Sequence, residues 1–451
     1  MASIDRSALD RLTAAERDRF SDTHPRSAEL FARARRSLVA GVPMHWMVRW
    51  AGGFPVFVES ASGGHFTDVD GKDYVDLCLG DTGAMTGHAP ALATAAIAAQ
   101  LPRGITTMLP TEAAIEVAEE LGSRFGLPYW QFTLSATDAN RAVVRLAREL
   151  TGRPRILVFN GCYHGTVDET IVRLGPAGEV LPRPGSIGPP VDLAATTRVC
   201  EFNDIDALER ELSHGDVALV LAEPAMTNIG IVLPDEGYHS ALREITRRHG
   251  VLLALDETHT LCCGPGGATA AWGLEPDILT MGKPLGSGVP SGAYGMSAEL
   301  ADAIVARTDV DLADVGGIGG TLAGNALSLA AMLATLRDGL TSEAFGTTIP
   351  LADRFAAGVS TTIDEFGLGW HVARLGCRAE YRFQPRHPRD GGEAIASEDA
   401  ELDAYMHLYA LNRGILMTPF HNMALMSPAT TEADVDHHTA VFRDAVSSLL
   451  A

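Results

Sequence analysis

The stretch VLLALDETHT, residues 251–260, carries the strongest apolar run of the chain, and the interpretation of the fold starts from it. Two similar runs precede it, ILVF at 156–159 and VALVLAE at 217–223. Near-continuous Val and Leu runs are typical of parallel strands that are covered on both faces. A helical pattern at 237–249 separates the last two runs, so strand, helix and strand alternate. The α/β order predicts a mostly parallel, doubly wound sheet with right-handed crossovers.

Further elements are predicted on both sides of this sheet. We expect helices where apolar residues recur at helical spacing, and short strands around turn residues such as Asp70-Gly71-Lys72. The predicted helices are 26–39, 111–124, 138–150, 323–338 and 434–450, and the predicted strands outside the sheet are 54–58, 64–68, 73–77, 370–376 and 379–383.

The length of 451 residues and a change of pattern after about residue 340 predict two lobes. We expect an N-terminal segment, 1–68, that contributes to a small lobe. A large α/β domain, 69–340, follows it, and a smaller α+β domain, 341–451, ends the chain.

Charge and cysteine usage restrict the possible partners. The formal net charge is −22, which argues against a nucleic acid or an anionic membrane as partner. The six cysteines show neither a CxxC pair nor metal-ligand spacing with histidine, so we expect reduced thiols and no metal site. No apolar run resembles a signal peptide or a membrane span, and we therefore expect a cytoplasmic protein.

Lysine is scarce, since the chain contains only Lys72 and Lys283. If the chemistry needs an amine that bonds a carbonyl group, one of these two must supply it, because arginine cannot. Lys72 lies in a predicted turn, whereas Lys283 follows a short apolar strand. Ligands of parallel sheets bind at the carboxyl ends of strands, which favours Lys283. The alternative is an ordinary surface lysine.

Two other residues follow predicted strands. Asp256 ends the apolar run, where a carboxylate needs a partner such as a protonated ring nitrogen; the alternative is a helix cap or a structural ion pair. Tyr163, in GCYHG after the strand 156–159, could stack on a flat ring or could simply be a core aromatic.

Two segments precede helices. Ser135, Ala136 and Thr137 come before the helix 138–150, and Thr321 comes before the helix 323–338. Hydroxyl and free N–H groups at a helix N-terminus bind anions, although the same residues also serve as plain caps.

The order and spacing of six motifs resemble the class III aminotransferases, which use pyridoxal 5'-phosphate (PLP). The motifs are SATDAN (135–140), GCYHG (161–165), AEPAMTNIG (222–230), ALDETHT (254–260), TMGKPLGSGVPSGAYG (280–295) and GGTLAGNAL (319–327). The resemblance runs from about residue 38 to residue 340. It is strongest to the branch of glutamate-1-semialdehyde aminomutase and the β-amino-acid aminotransferases. It implies the type I fold of PLP enzymes, with PLP in the large domain.

The resemblance also implies a role for each matching residue. Lys283 forms the Schiff base with PLP and shuttles a proton, Asp256 pairs with the pyridine nitrogen, and Tyr163 stacks on the ring. The other implied cofactor residues are Ser135, Ala136, Thr137, His164, Glu223, Asn228, Thr258 and Thr321. Thr321 is implied to reach the cofactor of the partner subunit, so the resemblance implies a homodimer with shared active sites.

The chain departs from the family pattern in several places. Ala136 replaces the common glycine of the phosphate motif, and Thr258 replaces the usual valine after Asp-Glu. Where family members that act on carboxylates often carry an arginine, this chain has Trp46 or Met47, with Arg49 nearby. At a second arginine position it has Phe420. These four residues are the predicted substrate pocket, which we expect to be rather apolar, although Arg378 and Arg382 could supply a charge.

The function that follows is a ping-pong transfer of an amino group from an amine or amino acid to a 2-oxo acid or similar carbonyl compound. An aminomutase or another PLP isomerase is the alternative, since the fold does not fix the reaction. A non-catalytic PLP-binding regulator lacks a basic patch or DNA-binding element to support it. A nicotinamide dehydrogenase would need GxGxxG after an early strand, and GPGGATAAWG at 264–273 does not fit.

Overall fold

The structure is a computed structural model that describes residues 4–188, 191–307 and 318–451. Its strands are β1 (Val58–Ser62), β2 (His65–Asp68), β3 (Asp73–Asp76), β4 (Tyr129–Thr133), β5 (Arg155–Phe159), β6 (Val172–Leu174), β7 (Val180–Pro182), β8 (Thr197–Cys200), β9 (Val217–Ala222), β10 (Leu252–Asp256), β11 (Ile278–Met281), β12 (Gly292–Met296), β13 (His371–Leu375), β14 (Arg378–Arg382), β15 (Ile415–Leu416) and β16 (Met423–Leu425). Its α-helices are α1 (Arg6–Thr23), α2 (Pro25–Ala34), α3 (Ala91–Gln100), α4 (Glu112–Phe125), α5 (Ala136–Thr151), α6 (Ile205–Leu212), α7 (Tyr238–Arg248), α8 (Gly267–Ala271), α9 (Ala298–Val305), α10 (Ala326–Ala334), α11 (Ser342–Glu365), α12 (Gly391–Ala396), α13 (Ala400–Leu411) and α14 (Glu432–Leu450).

The described chain forms two compact units. The large unit comprises Ala91–Ser342 and Pro388–Ala396, and the first unit comprises the residues up to Pro90, Glu343–His387 and Ser397–Ala451. The first unit therefore extends beyond the predicted boundary at residue 68, because β3 pairs with β2 on one side and with β15 on the other.

The large unit is built on a seven-stranded sheet with the order β4-β12-β11-β10-β9-β5-β8. The five strands from β11 to β8 are parallel, as predicted, whereas β12 runs antiparallel to both of its neighbours. The sequence did not predict β12, because GAYGM at 292–296 is rich in glycine, which is rare in strands. Doubly wound α/β architecture is confirmed for this unit.

The strands of this sheet are buried because both faces are covered. Every residue of β9 and β11 is buried, and so are Leu253, Ala254 and Leu255 of β10. One face packs against α5 through residues such as Val143 and Leu146, and the other packs against residues of α6 and α7 such as Leu208 and Leu242. Burial on both faces explains why these strands show no alternation of polar and apolar residues.

The first unit contains two smaller sheets. One has the order β1-β2-β3-β15 and the other has the order β13-β14-β16. The hairpin of β2 and β3 around Asp70 and Gly71 is confirmed. The strand predicted at 54–58 is wrong: β1 covers Val58–Ser62 and is mostly exposed, so it lacks the apolar signal that drew the prediction to FPVFV.

The predicted helices are confirmed with shifted ends, as boundaries depend on local caps. The N-terminal helix predicted at 26–39 ends at Ala34, and α1 was not predicted, because its polar residues leave few apolar positions. Helix α5 begins where Ser135 accepts a hydrogen bond from the Asp138 N–H, and it ends at Gly152 in the left-handed conformation.

Three further features concern the cysteines, the apolar helices and the possible metal ligands in the described part of the chain. The six cysteines form no disulfide; five are buried and Cys263 is half-buried. Among the described residues, no helix is long and apolar enough to cross a membrane. The same part of the chain holds no group of three His, Cys, Asp or Glu side chains arranged to bind a metal ion.

Candidate active site

Asp256 and Lys283 are positioned by neighbouring parallel strands of the large unit. In the register of β10 and β11, Asp256 pairs with Thr280, and the Glu257 N–H donates a hydrogen bond of 2.8 Å to the Thr280 carbonyl. Lys283 therefore leaves the sheet three residues after the register partner of Asp256, at the same carboxyl edge. This is the edge at which ligands of parallel sheets bind.

The Asp256 carboxylate is buried and held by three donors. His164 Nδ1 lies 3.0 Å and Asn140 Nδ2 lies 2.9 Å from its Oδ2, while the Thr258 N–H donates to its Oδ1 over 3.1 Å. Burial alone would raise the pKa of Asp256, but the hydrogen bonds and the charge of His164 lower it to about 2. The site thus maintains an ionised carboxylate in the protein interior.

His164 is the second member of this buried pair. Burial disfavours its charged form, yet Cys162 and the Asp256 carboxylate raise its pKa above the usual value. Its Nε2 is buried and has no hydrogen-bond partner among the residues that the structure describes. The sequence placed His164 beside the cofactor, and the structure places it against Asp256.

Asn140 is a site residue that sequence reasoning missed. It is fully buried on α5, donates to Asp256 and accepts a hydrogen bond of 2.6 Å from the Thr280 hydroxyl. Its signal in the sequence is a polar residue between Ala139 and Val143 on the apolar face of the helix. A buried amide on such a face needs hydrogen-bond partners, and here they are the Asp256 carboxylate and the Thr280 hydroxyl.

The start of α5 forms a cradle of backbone atoms. A Cβ atom at Gly282 would lie 2.6 Å from the Ala136 nitrogen, and one at Gly165 would lie 2.0 Å from the Thr137 hydroxyl oxygen. Glycines at these two positions let neighbouring loops approach the helix N-terminus. The half-buried residues Ser135, Ala136 and Thr137 therefore surround an N-terminus that suits an anion such as a phosphate.

Lys283 lies beside a histidine that the sequence did not single out. Its Nζ is 2.9 Å from Nε2 of His259, which belongs to the loop after β10. Lys283 is half-buried and has φ +24°, a conformation that side chains rarely adopt. Sequence reasoning missed His259 because the contact joins two loops, and loop side chains have no periodic pattern.

The remaining predicted cofactor residues also lie at strand ends of the large unit. Glu223 follows β9, is buried, and accepts a hydrogen bond of 2.5 Å from the Thr227 hydroxyl; burial raises its pKa to about 7. Asn228 donates to the Gly161 carbonyl over 3.0 Å. Thr258 is buried, and its hydroxyl has no partner in the described chain. Tyr163 is half-buried in the loop after β5.

Thr321 lies apart from these groups, on an exposed segment of the large unit. It lines a cavity of about 960 Å³ together with Thr107, Tyr129 and other residues of the segments 106–132 and 320–325. Exposed apolar side chains, Met108 and Leu109, border this cavity.

The predicted substrate residues lie in the first unit, where two of them meet. The rings of Trp46 and Phe420 are 5.4 Å apart and pack edge to face. Met47 and Arg49 are exposed. The structure thus brings together two of the four residues predicted to form the substrate pocket.

Arg378 and Arg382 are both buried, and this differs from ordinary surface arginines. Arg378 donates to the Thr82 hydroxyl over 2.6 Å and contacts the Met423 sulfur, while its Nε has no partner among the described residues. Arg382 donates to the Ser397 hydroxyl over 2.9 Å. The charge of these residues is therefore held inside the first unit.

The sheet and the groups at its edge define a PLP-dependent enzyme of fold type I, which confirms the predicted fold class. The chain belongs to the class III aminotransferase family, whose model, Aminotransferase class-III, matches residues 47–353. The family resemblance inferred from the six motifs is thereby confirmed.

Relatives cover nearly the whole chain. Glutamate-1-semialdehyde 2,1-aminomutase of Chloroflexus aggregans is 35% identical over 95% of this chain and 99% of its own length. A glutamate-1-semialdehyde-aminomutase from Pseudomonas aeruginosa PAO1, crystallised as a lysine-to-alanine variant with PMP, is 50% identical, with a TM-score of 0.97 over 99% of this chain and 100% of that one. An omega-transaminase from Sphaerobacter thermophilus is 30% identical, with a TM-score of 0.85 over 94% and 98%.

The described residues fit the cofactor of this family, PLP, and the predicted cofactor is confirmed. An ionised carboxylate, a half-buried lysine and a helix N-terminus all lie on elements of the large unit. The Thr258 hydroxyl and His164 Nε2 are buried polar atoms without partners, and Gly282 and Gly165 keep the cradle open. These are the features that a phosphorylated, positively charged aromatic ring requires.

Proposed function

We propose that the enzyme is an aminomutase that moves the amino group of an amino aldehyde such as glutamate 1-semialdehyde from C2 to C1 of the same molecule. The observation that carries this proposal is the similarity to glutamate-1-semialdehyde aminomutases along essentially the whole chain, at 50% identity for the Pseudomonas aeruginosa protein. This similarity favours isomerisation within one molecule, which the sequence left as the alternative, over transfer between two molecules.

Asp256 and α5 hold the cofactor in this proposal. PLP, when bound, withdraws electrons from the substrate carbon that carries the amino group and so makes its proton acidic. Asp256 holds the protonated ring nitrogen, and its pKa of about 2 keeps it ionised at neutral pH. Ser135 and Thr137, with the N–H groups of α5, bind the phosphate, and Tyr163 covers the ring.

Lys283 would hold the cofactor through its amine. The same amine, when free, would take the acidic proton from one reacting carbon of the substrate and return it at another. Lys283 is the only lysine of the large unit, since Lys72 belongs to the first unit. Glu223 and Asn228 both follow β9 and would lie near the ring and the substrate.

The direct test is isomerisation in the absence of any acceptor. Purified enzyme loaded with pyridoxamine phosphate (PMP) is incubated with glutamate 1-semialdehyde. The isomer with the amino group at C1 and the carbonyl at C2 is then quantified. Many turnovers without an added oxo acid support the aminomutase. Product that stops at one equivalent per cofactor contradicts it.

Amino transfer between two molecules is the second candidate, and the aromatic pair of Trp46 and Phe420 favours it. An apolar surface suits an amine or a hydrophobic amino compound better than an amino aldehyde that carries a carboxylate. In the same assay, conversion that requires stoichiometric oxo acid and releases an oxo product identifies this reaction.

We also propose a homodimer with shared active sites. The exposed apolar residues Met108, Leu109 and Leu322 are between 51% and 74% accessible, and a second copy would cover them. Thr321, in the same exposed region, would then reach the cofactor of the partner subunit. Light scattering of the holoenzyme tests this: a mass near twice 47.7 kDa supports the dimer, and a monomer at micromolar concentration contradicts it.

A further inference from the structure

The contact between Lys283 and His259 is not explained by any role proposed above. Lys283 Nζ lies 2.9 Å from His259 Nε2, which is an ordinary hydrogen-bond distance between a nitrogen donor and a nitrogen acceptor. The amine of Lys283 must lose a proton before it can bond a carbonyl carbon or take a proton from substrate. A neutral imidazole is the side chain best suited to accept that proton near pH 7.

Backbone register makes this contact a fixed feature of the fold. His259 and Lys283 are each three residues beyond a register pair, Asp256 and Thr280, on two adjacent parallel strands. The Glu257 N–H bonds the Thr280 carbonyl and holds the two loops together where they leave the sheet. The Leu261 N–H bonds the Glu257 carbonyl and turns the chain just after His259.

The carboxylates at this edge are engaged by other donors. Asp256 accepts hydrogen bonds from His164 and Asn140, as described above. Glu257 is fully buried and accepts hydrogen bonds from the Thr260 hydroxyl and the Thr269 N–H. Glu223 bonds Thr227. The Lys283 amine, in contrast, contacts a ring nitrogen of His259, whose imidazole can accept a proton.

We propose that His259 is the proton acceptor of the Lys283 amine. The proton leaves Nζ of the lysine ammonium and moves to Nε2 of the neutral imidazole, which becomes imidazolium. The lone pair freed on Nζ then forms the bond to the cofactor carbonyl carbon. The carbonyl oxygen takes up the proton held by the His259 imidazolium and one of the two protons left on Nζ, and it leaves as water, so the imidazole is neutral again and the nitrogen keeps one proton. This inference rests on the proposed role of Lys283, and it adds a residue that the six family motifs did not assign.

The experiment measures capture of PLP by the apoenzyme, so it does not depend on turnover. Apoenzyme is mixed with PLP at pH 7.5, and the absorbance of the lysine-bound cofactor is followed in a stopped-flow instrument. His259→Gln keeps a hydrogen-bonding side chain but cannot take up a proton at this pH. We expect its capture rate to fall at least about tenfold, the lower range of acid–base catalysis by one side chain.

Two further variants separate proton acceptance from a structural role. Adding imidazole to His259→Gly should restore part of the capture rate in proportion to its concentration, and imidazole should leave the wild-type rate unchanged. His214→Gln, at an exposed histidine of the large unit, is the matched control and should capture PLP at the wild-type rate.

A chemical measurement on the apoenzyme provides a second readout. Brief acetylation at pH 7.5 modifies unprotonated amines, and mass spectrometry of the Lys283 and Lys72 peptides gives their relative rates. In wild type the Lys283 peptide should react faster, and in His259→Gln its rate relative to Lys72 should fall severalfold. Lys72 serves as the internal reference because these are the only two lysines.

The outcomes distinguish this inference from the proposed function. A capture rate of His259→Gln within twofold of wild type, with no response of His259→Gly to imidazole, overturns the role of His259 and leaves that of Lys283 intact. Loss of capture in Lys283→Ala tests the proposed function separately. If Lys283→Ala still forms the same absorbance, the lysine assignment itself is wrong.

Discussion

The carboxyl edge of the seven-stranded sheet and the segment around Trp46 differ in what holds their side chains. At the sheet edge, Asp256 is buried and accepts three hydrogen bonds. The register of β10 and β11 fixes its position relative to the segment that carries Lys283. Trp46 lies in a short 3-10 helix, His45–Val48, and its neighbours Met47 and Arg49 are exposed. Backbone pairing therefore determines the first region, whereas side-chain packing determines the second. We assign the proposed chemistry to the first region and expect the choice of substrate to depend on the second.

Replacing Lys283 is expected to have the largest effect. Lys283→Ala removes the nucleophile and the proton carrier together, so turnover should fall by more than about 1,000-fold. The visible absorbance of the lysine-bound cofactor should also disappear. Lys72→Ala is the control, and we expect it to keep both. Retention of the absorbance in Lys283→Ala would falsify the assignment.

Neutralising Asp256 should have the next largest effect. Asp256→Asn keeps the shape of the side chain but removes the charge that stabilises a protonated ring nitrogen, so kcat should drop about 100-fold or more. Because the pKa of Asp256 is about 2, no activity change between pH 5 and 9 should arise from its titration. The check is a kcat–pH profile of wild type and variant. An acidic limb near pH 5 that vanishes in Asp256→Asn would contradict this account.

Acid should weaken the first unit before the large unit. Burial lowers the pKa of His371 and His407 to about 4 and that of His421 and His438 to about 3. The unfolded chain binds these protons below pH 6.5 and the folded unit does not, so stability falls as the pH drops from about 6.5 toward 4. At pH 5 each histidine would cost about 1–2 kcal/mol.

One carboxylate of the first unit opposes this trend without cancelling it. Burial raises the pKa of Asp403 to about 6, so its protonation favours the folded state over part of the same range. Hydrogen exchange at pH 7 and pH 5 checks the balance. Peptides of β13, α13 and α14 should lose protection first, and equal loss in β9 and β10 would show that the two units do not differ.

Truncating Trp46 should change substrate selection by a moderate amount. Trp46→Ala removes the edge-to-face contact with Phe420, worth about 1 kcal/mol, so we expect KM to change about fivefold. The affinity for PLP should stay within twofold, because PLP is assigned to the large unit. Trp272→Ala, at a partly exposed tryptophan of the large unit, is the control. A large change in PLP affinity would contradict the assignment of cofactor binding and substrate selection to different regions.

Replacing Thr258 is expected to have the smallest effect. Its hydroxyl is buried without a partner, so Thr258→Val, which restores the usual family residue, should stabilise the apoenzyme by up to about 1 kcal/mol. Urea unfolding with unchanged slope is the measurement. A destabilised Thr258→Val would mean that the hydroxyl is bonded in solution.

The predictability of each region from sequence follows the same division. The Val and Leu runs at 156–159, 217–223 and 251–257 predicted parallel strands, because strands buried on both faces leave that signal. Asp256 and Lys283 were predicted because polar residues after such strands are unusual. The GAYGM strand β12 and the polar helix α1 were missed, since neither composition favours its structure.

Contacts between side chains that are far apart in the sequence could not be predicted in the same way. His259 meets Lys283, and Asn140 meets Asp256, only after register and helix position are fixed. The Trp46 and Phe420 rings are separated by most of the chain, and no periodicity connects them. The sequence therefore predicted the strands and helices that position the candidate site residues, but not the contacts that His259 and Asn140 make with them.

The connectivity of the sheets also dictates an order of events during synthesis. Val75 of β3 pairs with Ile415 of β15, about 340 residues later, and Trp130 of β4 pairs with Gly295 of β12. A nascent chain that has left the ribosome as far as β11 can already assemble β5, β9, β10 and β11. Its strand β3, however, cannot pair with β15, which has not yet been synthesised. Such late, distant pairings slow folding and leave strand edges open to association. A stall or truncation before residue 415 should therefore yield an aggregating chain with a largely formed parallel sheet.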